Sequence, residues 1–162
     1  MATGRESSYN SAEQINPVPD KITGFIKAHH VMTVATESTE GAPWCANLFY
    51  SYIPEDNLFV FTTESKTRHG AGMAANGFVG ASIVLETKNV GKIQGLQLQG
   101  HAVLAEGAIL KKARASYLKK FPYAVLADLT LWTLSPTIFK LTDNRLGFGK
   151  KLYWHANGGS EQ

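Results

Sequence analysis

Apolar positions along this chain change period several times, and each change marks an element. Ile22, Phe25 and Ile26 fall on one helical face, and Asp20 stands where a side chain can cap a helix start, which predicts a helix over Lys21–His29. Short β-forming runs follow at Val31–Thr36, Trp44–Tyr52 and Leu58–Thr63, separated by the turn formers Ser38–Gly41 and Pro54–Asn57. The last two of these runs are predicted to form a hairpin. Ala- and Met-rich sequence from Thr67 to about Ala75 suits a short helix, and Gly77–Leu85 and Gln94–Leu104 read as further strands. Helical spacing returns over Ala108–Phe121, where Pro122 ends it. Pro136–Thr142 and Arg145–Trp154 then flank Asp143-Asn144 as a final hairpin.

Several strands carry apolar residues on both faces. In the second run Ala46, Leu48 and Tyr50 point one way while Cys45 and Phe49 point the other; in the third, Leu58 and Val60 oppose Phe59 and Phe61. A strand with one wet face alternates more cleanly. One face is therefore expected inside a barrel, and the other under a helix or a second subunit, which predicts a homodimer. Met1 to Asn16 is polar and without period, and is read as a disordered tail; residues 17–155 form the predicted domain, and 156–162 a loose end. The whole is an α+β chain, mainly β, most simply a small barrel.

Composition narrows the partners. No run of apolar residues is long enough to span a bilayer, and no charged segment leads into an apolar leader at the N-terminus. Cys45 is the only cysteine, so an internal disulfide is ruled out, and a cytoplasmic location is expected. Lys111, Lys112, Arg114, Lys119 and Lys120 cluster on one predicted helix, but Tyr117 and Phe121 lie on its apolar stripe rather than among the cations. A solvated basic face is the reading, with no nucleic-acid partner. Cys45 has no neighbouring base and reads as a buried structural thiol; Trp132 and Trp154 read as core or interface aromatics. His29 and His30 are adjacent and diverge, so no metal site is predicted.

The chemistry concentrates where the third strand empties into Thr62-Thr63-Glu64-Ser65-Lys66-Thr67-Arg68-His69. A polar turn at a helix start offers unpaired N–H groups and a positive dipole end to a phosphate or carboxylate. Ser65 and Thr67 add hydroxyls, Lys66 and Arg68 add charge, and Arg can hold two oxygens at once. Two such charge-assisted bonds change an anion's affinity by about 10²- to 10⁴-fold. A solvated turn with an ordinary cap is the competing reading.

This turn, the strand Trp44-Cys45-Ala46-Asn47-Leu48-Phe49-Tyr50 and the segment from Asp143 to Lys151 together resemble the pyridoxamine-phosphate-oxidase-like, FMN-binding split β-barrels, and within them the YhbP-like bacterial group. The resemblance covers roughly Val18 to Trp154. It implies a Greek-key split barrel of about six to seven antiparallel strands with two to three flanking helices. It also implies FMN, with haem or deazaflavin as alternatives, in sites shared between the subunits of a dimer. Ser65, Lys66, Thr67 and Arg68 would hold the phosphate, with His69 beside them. Trp44, Cys45, Ala46 and Asn47 would pass the ring and ribityl chain, and Thr62 and Thr63 would line the same wall. Gln97, Gln99 and the hairpin from Asn144 to Lys150 would come from the partner.

Two departures temper the activity that this resemblance implies. Pyridoxamine-phosphate oxidases carry a basic residue at each end of the second-strand motif, where this chain has Pro43-Trp44 and Leu48-Phe49. They also carry Arg-x-His near the C-terminus, where this chain has Arg145-Leu146-Gly147. The expectation is a flavin-dependent oxidoreductase acting on some other small molecule, with no catalytic side chain named. The alternative is a non-catalytic or sensory protein holding flavin, haem or another anion; His69 and His101 are then the nearest axial ligands.

Overall fold

A computed structural model describes residues 16–37 and 40–158. The expected tail through residue 15, the turn positions 38 and 39, and the last four residues lie outside it. In chain order the elements are α1 (Asp20–Ala28), β1 (Val31–Glu37), β2 (Pro43–Ile53), β3 (Leu58–Thr62), α2 (Arg68–Ala75), β4 (Phe78–Leu85), β5 (Gln94–Leu104), α3 (Gly107–Lys120), β6 (Leu131–Asp143) and β7 (Lys151–His155).

The strands form one antiparallel sheet in the order β3-β2-β1-β4-β5-β6-β7. Pairing of β3 with β6 closes the first six into a barrel, and β7 extends β6. This is the split barrel expected, mainly β, with three α-helices among the described residues. The barrel interior takes one face of each strand: Met32, Val34, Leu48, Tyr50, Phe59, Phe61, Ile83, Leu96, Leu134 and Phe139 are buried there, with Trp154 beside them. A second cluster lies outside the barrel wall, where Ala113 and Tyr117 of α3 cover Ile53, Leu58, Val60 and Leu131. The two-faced β3 is thus covered by the barrel on one side and by α3 on the other.

Several local expectations are corrected. Asp20 is the first residue of α1 rather than its cap; Pro19 holds the cap position, with no side-chain bond. β6 begins at Leu131, not Pro136, because Pro136 sits opposite Gly100 at a bulge, where a missing N–H is tolerated. β7 is shorter than predicted, since Asn144–Leu146 is a 3-10 turn. Asn16, assigned to the tail, is anchored: its side chain donates to the His155 carbonyl (2.9 Å), and Trp154 Nε1 donates to the Asn16 carbonyl (3.1 Å). Lys120 turns inward instead of facing solvent. It lies one turn beyond Tyr117, donates to the His29 carbonyl at the end of α1 (2.6 Å), and rests over the Tyr50 ring. Partial burial lowers its pKa.

Candidate functional site

Thr67 is the N-cap of α2. Its hydroxyl accepts from Gly70 N (3.1 Å) and donates to the Glu64 carbonyl (2.8 Å), so the turn and the helix start are fixed by one side chain. The leading N–H groups of a helix have no partner within it. Thr67 takes that of Gly70, and those of Arg68 and His69 stand at the mouth of α2. Ser65 and Arg68 are exposed beside them.

The predicted cations are held differently. Lys66 pairs with Glu64 at 2.8 Å, fully at the surface, and the carboxylate raises its pKa. The Arg68 guanidinium instead lies 4.4 Å from the centroid of the Trp44 ring. Behind them, Thr63 Oγ1 contacts His69 Nε2 (2.6 Å) and Thr67 Oγ1 (3.2 Å). Burial pushes His69 below the ordinary histidine range, so the ring is neutral at pH 7. Thr62 donates to the Thr130 carbonyl (2.9 Å), and Trp132 Nε1 donates to the Thr63 carbonyl (3.0 Å). Thr130 and Trp132 therefore brace the wall, a role that follows from the β3–β6 pairing of Thr62 with Leu131 and that the sequence does not signal.

The structure separates the remaining candidates. Even-numbered β2 residues from Trp44 to Tyr50 face the barrel side, where α2 closes the end; Cys45, Asn47 and Phe49 face outward and are exposed. The buried thiol expected of Cys45 is thus corrected, because strand parity puts it on the outer face. Asn47 accepts from Thr33 Oγ1 (2.7 Å), and register continues this row through Ser82 to Gln97. Cys45 starts the next row, through Ala35 and Gly80 to Gln99. Val31, Phe49, Phe78, Val84 and Val103 are exposed on the same outer face, a wide apolar rim around a polar middle.

Asn144 and Lys150 are elsewhere. β5 pairs Gln94 with Asp143 at one end and Leu104 with Trp132 at the other. Ten residues at ~3.3 Å each separate those ends by roughly 33 Å. The Ser65 turn stands at the Leu104 end and the Asn144 hairpin at the Gln94 end. Asn144 is itself committed: its Nδ2 donates to the Val90 carbonyl (2.8 Å) and its Oδ1 accepts from Gly149 N (3.0 Å). Arg145 is also committed, donating to both oxygens of buried Asp143 through Nε (2.9 Å) and Nη2 (2.8 Å). A cleft of about 990 Å³ lies between α1, the Pro54–Asp56 turn and β7, and none of the predicted site residues lines it. No group of His, Cys, Asp and Glu among the described residues could hold a metal ion. No helix among them is long and apolar enough to cross a membrane.

Comparison with known proteins gives this geometry a context. The family model described as pyridoxamine 5'-phosphate oxidase matches residues 18–142. A UPF0306 protein YhbP of Escherichia coli is 36% identical over 141 residues, covering 87% of this chain and 95% of the relative. Among solved structures, a haem-binding protein from Mycobacterium smegmatis superposes with a TM-score of 0.72 at 22% identity, over 87% of this chain and 60% of that one. An FAD-binding protein from Mesorhizobium loti superposes with a TM-score of 0.60 at 17% identity, over 75% of this chain and 89% of that one.

Proposed function

Because the chain belongs to the pyridoxamine 5'-phosphate oxidase family, and within it to the UPF0306 group, we propose that it binds FMN with the phosphate at the Ser65–Arg68 turn. The observation that carries this is an exposed arginine, without a carboxylate partner among the described residues, at a helix mouth capped by Thr67. The donor set of the turn fits a phosphate: two hydroxyls, the leading amides of α2, and Arg68 as a bidentate grip. Lys66 adds less, since Glu64 already offsets its charge. A deazaflavin with the same phosphate would meet the same donors.

In this reading Thr67 fixes the turn, Arg68 and Ser65 hold the anion, and Thr62, Thr63 and Trp132 keep the wall in register. His69, neutral and bonded to Thr63, orients that hydroxyl and adds no charge. A bound flavin supplies the electron-transfer chemistry, and the protein supplies orientation and electrostatics. The substrate is a small molecule other than pyridoxamine phosphate, because Arg145 is tied to Asp143 and the histidine two residues beyond it is replaced by Gly147.

The outer face carries the partner. Its exposed apolar rim, across β1, β2, β4 and β5, suits a second copy of the chain, and a two-fold pairing brings the Asn144–Lys150 hairpin of one copy toward the turn of the other. Gln97 and Gln99 then meet the ligand from across the interface.

An FMN titration of the parent and of Lys66→Ala/Arg68→Ala tests the reading. Retained folding with lost FMN uptake is the expected result; equal uptake by both proteins refutes the phosphate assignment. One observation favours haem instead: His101 is exposed on the outer face beside Phe78, whereas His69 Nε2 is already engaged by Thr63. A haem absorbance band in the purified protein, lost in His101→Ala, would replace the flavin reading with a haem-binding one.

A further inference from the structure

Two cations stand at the anion turn, and the chain restrains them by opposite means. Glu64 fixes Lys66 by cancelling its charge. The Arg68 guanidinium instead lies over the aromatic face of Trp44, a contact that leaves its charge whole. A guanidinium over an aromatic ring keeps its charge, and when it lies flat on the ring its in-plane N–H donors remain available to an oxyanion.

The contact is built by the backbone. Trp44 pairs with Thr36 near the end of β1. α2 docks closely onto that end, since a Cβ on Gly72 would lie 2.8 Å from the Glu37 carbonyl oxygen and 3.1 Å from Thr36 Oγ1. This close approach sets the first residue of α2, Arg68, over the indole. Trp44 is also placed to report on the site: it is 41% exposed, while Trp132 and Trp154 are 2% and 6% exposed.

We propose that Trp44 is a positioning residue for the anion, holding the Arg68 fork in a binding-ready orientation without neutralising it. The proposal rests on the phosphate reading of the turn given above. An exposed cation–π contact predicts that Trp44→Leu weakens FMN binding by about two- to five-fold. Riboflavin, which lacks the phosphate and keeps only the ring contact of Trp44, should lose less than FMN, and Trp44→Phe should fall between parent and Trp44→Leu. In an Arg68→Ala background, Trp44→Leu should cost FMN binding less than it does in the parent. Arg68→Ala should also expose the Trp44 indole to acrylamide quenching without any ligand.

Four measurements decide the matter: FMN and riboflavin affinities by flavin fluorescence, the Trp44–Arg68 double-mutant cycle, quenching, and thermal melts to show that the variants fold. Unchanged FMN affinity in Trp44→Leu, or an equal loss with and without Arg68, overturns the positioning role and leaves the flavin reading standing. If the parent ignores FMN, the flavin reading falls, and inorganic phosphate decides the positioning role separately. Phosphate that shifts Trp44 emission in the parent but not in Arg68→Ala sustains the role; emission unmoved in both overturns it.

Discussion

Gly72→Ala sets two physical effects against each other at the base of the site. Replacing a helical glycine by alanine gains about 0.8–1 kcal/mol of intrinsic helix propensity. At Gly72 the new methyl would meet the Glu37 carbonyl oxygen at 2.8 Å and Thr36 at 3.1–3.2 Å, all on the barrel wall. Backbone cannot swing aside as a side-chain tip does, so α2 must lift; overpacking of this kind costs about 1–3 kcal/mol. The net effect is destabilisation of up to about 2 kcal/mol. Gly24, exposed in α1 with nothing within 4 Å of its would-be Cβ, gives the control: Gly24→Ala should stabilise by about 0.4–1 kcal/mol. For a chain of this size, 1 kcal/mol moves Tm by about 2–4 °C. Thermal melts should therefore move in opposite directions for the two variants. Gly72→Ala should also loosen the Arg68–Trp44 stack, read as greater acrylamide quenching. If Gly72→Ala raised Tm as Gly24→Ala does, the close docking of α2 would be refuted.

Two further predictions concern the partner face and the hairpin. Ser82→Arg introduces a charge at the middle of the outer face and should convert a dimer to a monomer in light scattering at micromolar concentration; a parent that is itself monomeric would dismiss the second-copy reading. Asp143 is held below the ordinary carboxylate range chiefly by its hydrogen bond to Arg145. Its stabilisation is complete above the unfolded value of about 3.9 and is lost as pH falls through the lower folded value. Tm should then drop below roughly pH 4 more steeply in the parent than in Asp143→Asn, and matching slopes would count against the pair.

The fold and the turn were legible for different reasons. Helix and strand periods located nearly every element, and a threonine set between two cations, Lys66 and Arg68, marked the start of α2, because capping is a local event. The exposure of Cys45 is not legible in the sequence, because a strand's parity does not say which face is covered, and among the described residues the outer face of β2 near Cys45 is bare. Lys120 was legible in principle: three residues after Tyr117 and seven after Ala113, it falls on the buried stripe, and its charge masked that position. The Trp44–Arg68 stack could not be read, since it joins residues 24 apart through strand register and a glycine-dependent docking. The first half of β6 was hidden by Pro136, which ordinarily ends a strand and here sits at a bulge.

The turn and the Asn144–Lys150 hairpin stand at opposite ends of β5, and this has a genetic consequence for the pair proposed above. In that proposed pair each site would draw its anion grip from one chain and its closing hairpin from the other. An allele lacking Arg68 and an allele lacking the hairpin should then each be null alone, for neither could form a whole site with its own kind. Coexpressed, they meet in mixed pairs that hold one wholly intact site and one doubly broken one. Such alleles complement, whereas two alleles that both damage the turn do not.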